Sequence, residues 1–311
     1  MQTLRIVFMG TPDFAVPSLA MLIRAGHTLQ VFTQPDRPVG RHAVLTPPPV
    51  KKLACAHGIP VFQCEKIRMP EGVAALRAFA PELMVTAAFG QILSAENLSI
   101  PQYGCINVHG SLLPKYRGAA PIQWAVIHGE KETGVTTMMT DVGLDTGDIL
   151  LARSTPIGED ETAGELFGRL AVLGAEVLSD TIAALENGTL TRTPQDAARA
   201  TKCSMLKKED GHVVFADGMQ QAHDRVRGMN PWPGAYALCE GETVKLWRTR
   251  KTELPPEGRP GTCLIADPRQ GLFVDAGDGV LEILELQFPG AKRMDAKTAL
   301  RGHDLSGKVL A

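Results

Sequence analysis

The amino-acid sequence predicts an α/β protein in which a domain with a mostly parallel sheet precedes a small β-barrel. The chain has 311 residues and 44% of them are hydrophobic, and a globular chain of this length usually folds as about two domains. Up to residue 190, short apolar runs alternate with helical patterns, which indicates a parallel sheet covered by helices. After residue 206, short apolar runs are separated by glycine-rich turns, which is typical of small barrels. We therefore expect a Rossmann-like domain, a linker and an OB-like domain.

The N-terminal elements are predicted from the points at which apolar runs start and stop. Apolar runs rich in β-branched residues predict strands over residues 4–9, 29–33, 83–87 and 105–109. Helical spacing of apolar residues predicts helices over residues 16–25, 50–57 and 72–79. A hairpin-like pair of strands then covers 134–140 and 149–154, and a long amphipathic helix covers 163–185 before the stop signal Asn187-Gly188.

The rest of the chain changes character twice. Residues 189–206 are polar and basic without strong periodicity, so we interpret them as a linker between an N-terminal domain over 1–188 and a C-terminal domain over 207–311. Short apolar runs with glycine-rich turns predict C-terminal strands over 213–215, 235–239, 243–248, 261–266, 271–275 and 280–287. One helix is predicted between them, over residues 218–228.

Composition excludes several classes of protein. The six cysteines are scattered without a CxxC pair, which indicates reduced thiols in a cytoplasmic protein. The eight histidines lack HxxxH and HExxH spacing, so no metal site is expected. The apolar run at the N-terminus is too short to span a membrane and lacks a cleavage pattern, so we expect no membrane partner.

Positive charge is concentrated in the C-terminal part of the chain. The net charge is −2 overall, but residues 1–189 carry −4 and residues 190–311 carry +2. Between residues 192 and 208, five basic residues face one acidic residue, and Lys202, Lys207 and Lys208 are among the five. Such a stretch can bind phosphates, although an ordinary solvated surface explains the same pattern.

The densest candidate site is the segment 105–114, which begins with a predicted strand. Alternate side chains of a strand share a face, so Ile106 and Val108 point into a packed layer while Asn107 and His109 point together to the other side. Ligands of α/β proteins bind at the carboxyl ends of parallel strands. An amide and an imidazole there can stabilise a developing oxyanion, although two polar residues can also simply cap a strand.

Asp145 is the candidate third group, because it lies in a glycine-rich loop between the two strands of the hairpin-like pair. A carboxylate near an imidazole orients it and favours its charged form, and such a pair can move protons for a nucleophilic amine. Asp141 and Asp148 flank Asp145 and could be confused with it, since an Asp in such a loop commonly only forms the turn. The turn after the first strand lacks GxGxxG and GxxxxGK[ST], and no GxSxG occurs, which argues against nucleotide binding there and against a serine nucleophile.

Six motifs resemble one enzyme family. Two of them resemble the formyl-tetrahydrofolate-dependent formyltransferases: HGSLLPKYRG at 109–118 and DVGLDTGD at 141–148. Four more are similar to the members of that family that act on methionyl-tRNA: FMGTPDFA at 8–15, QPDRPVGR at 34–41, GAAPIQ at 118–123 and NPWP at 230–233. The SLLP stretch alone identifies only the superfamily, whereas the six motifs in this order are highly specific and cover nearly the whole chain.

The resemblance implies a reaction and the residues that carry it. A formyl group would pass from 10-formyltetrahydrofolate to the α-amino group of methionyl-initiator tRNA, for translation initiation, and the enzyme would need no metal. Asn107, His109 and Asp145 fall on the family's catalytic positions. The folate-contacting positions fall on Phe89, Gly90, Gln91, Ile92, Leu93, Ser111, Leu112, Leu113, Pro114, Asp141, Gly143 and Leu144. The N-terminal domain is then the catalytic domain, and we expect a monomer.

Binding of tRNA is expected to use the C-terminal domain and one loop of the N-terminal domain. Arg41 falls in the loop that, in this family, inserts toward the acceptor end of the tRNA. Lys202 in the linker, with Lys207 and Lys208 at the start of the C-terminal domain, are the candidate phosphate contacts. Where the family often has further basic residues after Arg41, this chain has His42, Ala43 and Val44, so the loop is expected to hold phosphate less tightly. The linker sequence Thr201-Lys202-Cys203 also departs from the family pattern.

Three other functions fit parts of the same pattern. A hydrolase of the superfamily would use water as the acceptor and release formate. A formyltransferase acting on an amino sugar or a small amine would share the same three catalytic residues. A non-catalytic RNA-binding protein would need only the β-barrel, and the Asn107, His109 and Asp145 constellation argues against it. The loop over 34–41 and the C-terminal domain favour tRNA as the acceptor.

Overall fold

The computed structural model describes residues 3–40 and 43–311, and contacts divide the described chain into two compact units. The first unit comprises Met1–Gly118, Thr133–Thr155 and Phe167–Cys203, and the second comprises Ala119–Glu132, Pro156–Leu166 and Ser204–Ala311. Most of the segment predicted to be a linker is therefore part of the first unit. The functional division at residues 188 and 206 stays a prediction.

Eleven strands of the described chain lie between residues 5 and 203, almost entirely within the first unit. These strands are β1 (Arg5–Gly10), β2 (Thr28–Thr33), β3 (Arg37–Val39), β4 (Val44–Thr46), β5 (Val61–Gln63), β6 (Leu83–Ala87), β7 (Cys105–His109), β8 (Arg117–Gly118), β9 (Glu132–Met139), β10 (Ile149–Pro156) and β11 (Lys202–Cys203). The helices of the described chain are α1 (Val16–Arg24), α2 (Pro49–Ala56), α3 (Pro70–Phe79), α4 (Ala95–Leu98), α5 (Pro121–Ile127), α6 (Ala163–Glu186), α7 (Met219–Gly228) and α8 (Ala296–Ala299).

The helices start where local sequence favours a start. Proline stands in the first turn of α1, α2, α3 and α5. Proline is favoured there because its fixed φ suits the helix and its missing N–H would have no partner within the helix. Gly26, at φ +78°, follows α1, and Gly188, at φ +68°, follows α6, so residues that tolerate the left-handed region end both helices.

The first unit is built on a seven-stranded sheet with the order β10-β9-β7-β6-β1-β2-β5. Strands β5, β2, β1, β6 and β7 run parallel, and β9 runs antiparallel to β7. The chain proceeds from β1 to one side of the sheet through β2 and β5, and later to the other side through β6 and β7. The strand order therefore reverses between β1 and β6, which is the point where open α/β sheets form a ligand crevice.

Both faces of the parallel strands are covered. On one face, Val7 of β1, Phe32 of β2, Met84 of β6 and Cys105 of β7 belong to a single buried apolar cluster. On the other face, Ile106 and Val108 are 1% and 2% exposed. Parallel strands buried on both sides read as continuous apolar runs, which explains why the sequence pattern locates β6 and β7 correctly.

The second unit is an antiparallel sheet that closes on itself. Its strands are β12 (Ala235–Cys239), β13 (Glu242–Lys251), β14 (Cys263–Asp267), β15 (Gly271–Asp275), β16 (Val280–Gln287) and β17 (Met294–Asp295). The sheet order is β12-β13-β16-β15-β14, with β17 on β16. Residues 308–311 hydrogen-bond to the edge strand β12 through Leu238 and to the start of β14 through Cys263. Both edges are thereby joined through one segment, and the predicted β-barrel is confirmed.

The structure corrects some details of the elements. The strand predicted over 213–215 is wrong: residues Phe215–Asp217 form a 3-10 turn, and Val213 makes one backbone hydrogen bond, to Tyr236. The sequence pattern misses β3, β4 and β5, each three residues long, because so short a strand leaves no periodic signal. The described chain contains no helix with the length and apolar character needed to cross a membrane.

The buried cluster on the first face yields a stability prediction. Met84 is completely buried, whereas Met205 is 69% exposed. We expect Met84→Ala to lower the free energy of unfolding by about 2–5 kcal/mol, since it removes buried methylene groups and leaves a cavity. The matched variant Met205→Ala should change it by less than about 0.5 kcal/mol. Urea unfolding measures both, and similar losses from the two variants would contradict this account of the core.

Candidate active site

Strand β7 presents Asn107 and His109 on the same face, between two neighbouring strands. In register, Asn107 lies opposite Thr86 of β6, and His109 lies opposite Thr136 of β9. His109 is only 6% exposed. The side chains predicted to point together therefore do so, and a threonine of the neighbouring strand lies opposite each of them.

The side chain of Asn107 is oriented by Thr86. The hydroxyl of Thr86 donates a hydrogen bond to Oδ1 of Asn107 at 2.9 Å. This interaction uses the acceptor end of the amide, so Nδ2, which can only donate, takes the other position. Asn107 is thus held as a hydrogen-bond donor toward a group with an acceptor oxygen. Thr86 carried no signal in the sequence, because it lies inside an apolar strand.

The imidazole of His109 is held between a carbonyl and a carboxylate. Its Nε2 lies 2.9 Å from the backbone oxygen of Tyr116, and since a carbonyl can only accept, Nε2 carries the hydrogen. Its Nδ1 faces Oδ2 of Asp145 at 3.7 Å. One ring nitrogen is therefore committed to the protein backbone, and the other lies beside negative charge.

Asp145 reaches His109 although its loop leaves the sheet far from that residue. Because β9 is antiparallel to β7, the loop begins where Thr140 N–H donates to the carbonyl of Cys105 at 2.7 Å. It then folds back along β7, and Oδ2 of Asp145 accepts a 2.8 Å hydrogen bond from the backbone N–H of Gly118. The backbone of Asp145 has φ +53°, which is uncommon for a residue other than glycine.

The neighbouring acidic residues have other partners. The carboxylate of Asp141 accepts hydrogen bonds from the N–H of Gly143 at 3.0 Å and from the hydroxyl of Thr146 at 2.8 Å. It therefore forms the turn of its own loop, as Asp commonly does. Asp148 contributes its carbonyl to Met139 N–H. Asp145 is the aspartate whose carboxylate approaches the imidazole of His109.

The turn after β7 is locked by hydroxyl groups. Thr136 donates to the carbonyl of Ser111 at 2.7 Å and accepts from the N–H of Leu113 at 3.1 Å. The Ser111 hydroxyl donates to the carbonyl of Lys115 at 2.7 Å, and Ser111 is fully buried. Ser111 and Leu113 are thus buried parts of the turn, while Leu112 and Pro114 are partly exposed beside them.

The other predicted folate contacts divide into buried and exposed groups. Phe89 and Leu93 belong to the buried cluster of the first unit, and Gln91 bridges the N–H of Ile67 and the carbonyl of Cys64. Ile92 and Leu144 are 73% and 62% exposed. The exposed members also include Gly90, Asp141 and Gly143. An exposed apolar side chain can cover the face of a flat heterocycle, whereas the buried residues can only shape the loops.

Two side chains from the strand ends brace the segment after β6. The hydroxyl of Thr11 donates to the carbonyl of Phe89 at 3.0 Å. The amide of Gln34 donates to the carbonyls of Phe89 and Gly90 at 3.3 Å and 3.1 Å. Thr11 and Gln34 follow β1 and β2, so three loops at the reversal of strand order are joined through these contacts.

The residues predicted to bind tRNA are described only in part. Arg41 lies outside the described residues. Lys202, Lys207 and Lys208 are all exposed, and Lys202 is the first residue of β11.

Side chains that could bind a metal ion are spread apart in the described chain. Among residues 3–40 and 43–311, no three histidine, cysteine, aspartate or glutamate side chains are grouped closely enough to hold a metal ion. Cys105, the first residue of β7, is enclosed by protein, and burial raises the pKa of its thiol to about 11. Cys105 is therefore a neutral thiol at neutral pH.

Comparison with protein families identifies the class to which this fold and site belong. A family model for formyl transferases matches residues 4–182, and a model for the formyl transferase C-terminal domain matches residues 205–304. The chain therefore belongs to the formyl transferase family. Within it, the chain groups with the methionyl-tRNA formyltransferases. The enzyme of Ruminiclostridium cellulolyticum is 50% identical, over 97% of each chain, and that of Geobacter metallireducens is 52% identical, over 97% of this chain and 96% of the relative.

Solved structures agree on the fold. The sugar 3N-formyl transferase WlaRD has a TM-score of 0.69 at 18% identity, over 94% of this chain and 100% of that one. HypX from Aquifex aeolicus, in complex with tetrahydrofolic acid, has a TM-score of 0.68 at 16% identity, over 100% of this chain and 51% of HypX. At such low identity, these similarities support the architecture alone.

The thiol of Cys105 yields a prediction about reactivity. The thiolate is the nucleophilic form, and a thiol with a pKa near 11 stays protonated at pH 8. We expect iodoacetamide at pH 8 to modify the exposed Cys55 and to leave Cys105 unmodified in the folded protein. In urea both should react. Peptide mass spectrometry measures the modification, and labelling of Cys105 at the rate of Cys55 in the native protein would contradict the buried position.

The glycine that donates to Asp145 yields a second prediction. Gly118 has φ +125°, and a Cβ there would collide with the backbone oxygen of Cys203. An unfavourable backbone conformation alone costs about 1–3 kcal/mol. We expect Gly118→Ala to lower the free energy of unfolding by more than this, because the collision with Cys203 adds to it. Gly188→Ala is the matched control, since Gly188 has a positive φ but open space around it. If both variants lose the same stability in urea unfolding, the contact with Cys203 has no energetic role.

Proposed function

We propose that this chain transfers the formyl group of 10-formyltetrahydrofolate to the α-amino group of methionyl-initiator tRNA, with Asn107, His109 and Asp145 as the catalytic residues. The observation that carries the assignment of the site is the 3.7 Å approach of Asp145 Oδ2 to Nδ1 of His109, on the strand face shared with Asn107. The choice of acceptor is supported by about 50% identity to methionyl-tRNA formyltransferases over nearly the full length.

The reaction proceeds by direct attack, without a covalent enzyme intermediate. The free α-amine of methionyl-tRNA adds to the formyl carbon, and negative charge develops on the formyl oxygen. The bond between that carbon and N10 of the folate then breaks, the amine loses one proton, and N10 gains one. Tetrahydrofolate leaves with the proton, so atoms and charge balance. The amine is itself a competent nucleophile, which is why no serine or cysteine is required.

Asn107 and His109 stabilise the developing oxyanion. Thr86 holds the amide of Asn107 with its donor end away from β6, so Nδ2 is set as one donor. In the protonated imidazole both nitrogens are donors, and the Nε2–H is already given to the carbonyl of Tyr116. The Nδ1–H is then the second donor. Fixed donors of this kind cost little reorganisation during the reaction.

Asp145 has two tasks in this mechanism. Its carboxylate supplies negative charge beside the imidazolium, which is favourable by Coulomb's law in a site of limited exposure. It also accepts the proton that the amine loses, either directly or through one water molecule. The hydrogen bond from Gly118 N–H to Oδ2 leaves Oδ1 as the oxygen for that proton.

The reduced folate is proposed to lie against the loops at the carboxyl ends of β6 and β7. Ile92 and Leu144 offer exposed apolar surface, and the exposed backbone of residues 141–144 offers hydrogen-bonding groups. Phe89, Gln91, Leu93, Ser111 and Leu113 shape these loops from beneath, because their side chains are buried or bonded within the protein. No metal takes part in this proposal.

Binding of the tRNA is proposed to use the exposed lysines Lys202, Lys207 and Lys208 and, in the catalytic unit, Arg41. Contacts with phosphates weaken as salt rises, so the apparent KM for tRNA should be salt-dependent. The residues up to 188 carry the chemistry, and Lys202 in the linker together with the residues from 207 onward carries affinity for the tRNA. We further propose that the protein acts as a monomer in the cytoplasm, where thiols stay reduced.

One assay separates this function from its rivals. The full chain is given 10-formyltetrahydrofolate with a labelled formyl group, and label is followed into charged initiator tRNA, free methionine, a nucleotide-linked amino sugar and formate. We expect label in the methionyl-tRNA alone. Rapid release of formate without an acceptor would establish a hydrolase, and labelled amino sugar would establish a sugar formyltransferase.

Variants at the three residues test the mechanism. We expect Asn107→Ala and His109→Ala each to lower kcat by about 100-fold or more, the scale of a lost oxyanion donor. Folate binding, measured by titration, should change by no more than a few-fold. Asp145→Asn preserves shape and removes charge, and it should lower kcat strongly and alter the pH–rate profile.

Asp148→Asn is the matched control in the same loop. The proposed mechanism gives the Asp148 side chain no role, so turnover should stay near that of the parent protein. A fully active Asp145→Asn variant together with an inactive Asp148→Asn variant would mean that the carboxylate is misassigned. Normal turnover by a folded Asn107→Ala or His109→Ala variant would remove the oxyanion role.

A further inference from the structure

We propose that Gln195 is a positioning residue, which holds the 141–148 loop so that Asp145 faces His109. The inference rests on the proposed function, because it assigns Gln195 an effect on the step that Asp145 serves. Gln195 lies in the polar segment that the sequence pattern assigns to a linker. In the structure, this segment runs beside both loops of the candidate active site, and all of it up to Cys203 belongs to the first unit.

The side-chain amide of Gln195 bridges two loops. Its nitrogen donates two hydrogen bonds to one loop, and its oxygen accepts a hydrogen bond from the other. Its Nε2 donates to the carbonyl of Asp145 at 2.9 Å and to the carbonyl of Gly147 at 2.7 Å. Its Oε1 accepts from Nε of Arg117 at 2.9 Å. Both amide hydrogens therefore bond to the loop that carries Asp145, and the oxygen bonds to the segment that follows β7.

The exposure pattern singles out the same residue. Within residues 191–199, Gln195 is partly buried and every other residue is exposed. The backbone of the segment is anchored on each side of it. Thr193 exchanges two hydrogen bonds with Ile149, at 2.8 Å and 2.9 Å, and Lys202–Cys203 pairs with Arg117–Gly118 as β11 on β8. Gln195 is thus the inward-facing side chain of an anchored strap.

The loop that Gln195 holds has need of an outside support. It begins beside Cys105, at the far end of β7, and must fold back to bring Asp145 to His109. Its residues 141–144 are exposed, and Asp145 itself adopts φ +53°. A strained and exposed backbone keeps such a conformation only when surrounding groups fix it. The bonds from Gln195 flank the strained residue, at its own carbonyl and at that of Gly147.

The same strap also fixes the partner of Asp145. Thr201 accepts from the N–H of Tyr116 through its hydroxyl at 2.8 Å and from the N–H of Arg117 through its carbonyl at 2.8 Å. Tyr116 in turn accepts from Nε2 of His109. The segment from 193 to 203 therefore contacts Asp145 directly, through Gln195, and His109 through one intermediate residue, Tyr116. It sets their separation without touching the reacting atoms.

The consequence is an effect on turnover and not on substrate affinity. Gln195 contacts backbone carbonyls and an arginine, and these contacts are independent of either substrate. Loss of the bridge lets the loop move, and a misplacement of about 1 Å can cost about 100-fold in rate. We therefore expect kcat to fall while both KM values stay near those of the parent, as for the loss of an interaction that matters only in the transition state.

The test uses the full chain with Gln195→Ala, Gln195→Glu and the neighbouring control Asp196→Ala. The glutamate keeps an acceptor for Arg117 but turns an oxygen toward two carbonyl oxygens, so it serves to separate the two ends of the bridge. We expect both Gln195 variants to lower kcat by about 10- to 100-fold, with KM for tRNA and for folate within about three-fold. Asp196 is exposed, and its carboxylate accepts a hydrogen bond from Ala198 N–H within its own segment, so Asp196→Ala should retain parental kinetics. A Gln195→Glu enzyme with normal kcat would overturn the proposal, because the bond to Arg117 would then suffice.

A double-mutant cycle with Asp145→Asn, measured in single-turnover reactions, links the effect to the loop. If Gln195 acts through Asp145, the double variant should be scarcely slower than Asp145→Asn alone, since coupled sites are not additive. Full additivity of the two losses would overturn the assignment. A fully active Asp145→Asn enzyme would instead refute the catalytic role of Asp145, which is the failure of the proposed function.

Amide hydrogen exchange gives a readout that does not depend on activity. In Gln195→Ala, exchange should accelerate in residues 141–148 and at Gly118, whose N–H is bonded to Asp145, while β1 and β6 stay protected. Unchanged exchange in the 141–148 loop would overturn the positioning role whatever the kinetics. Uniformly faster exchange throughout the first unit would also overturn it, since the residue would then serve overall stability.

Discussion

The approach of Asp145 to His109 is the contact on which the rest of the site depends, and the sheet alone cannot provide it. The turn after β7 starts at His109, whereas the loop with Asp145 starts beside Cys105 at the other end of the same strand. Ladder hydrogen bonds end where strands end, so they do not fix such a crossing. The hydrogen bonds that join these loops come from elsewhere. Gly118 N–H donates to Asp145, the carbonyl of Tyr116 accepts from His109, and Gln195 donates to the carbonyls of Asp145 and Gly147.

Support and substrate contact are divided between different residues. Groups that orient the side chain of Asn107 and the turn after β7 are buried within the first unit, as Thr86 and Thr136 are. Groups suited to contact a substrate, such as Ile92 and Leu144, are exposed. This division suits a reaction that relies on fixed donors, because preorganised donors act only when their own supports do not move. It also explains why several of the predicted folate contacts, including Ser111 and Gln91, make their hydrogen bonds within the protein.

The sequence pattern predicts strands better than it predicts the site's supports. The strands Leu83–Ala87, Cys105–His109 and Val280–Gln287 match to the residue, because buried apolar runs end sharply at polar or glycine-rich segments. The shared face of Asn107 and His109 follows from the two-residue period of a strand. The contacts of Thr86 and Gln195 depend on residues 21 and 50 positions away, and no local pattern contains such partners. For the same reason, a polar segment without periodicity was interpreted as a linker although it is anchored to the first unit.

The closure of the second sheet has a consequence for the order of events during synthesis. Residues 308–311 join β12 to the start of β14, and they follow every strand of that sheet in the chain. On the ribosome, both edges therefore remain unpaired until these residues emerge. Unpaired edges readily pair with other chains, so the second unit remains prone to such pairing during synthesis until residues 308–311 have emerged. Removal of residues 308–311 would therefore leave both edges of the barrel unpaired, although only four residues are lost.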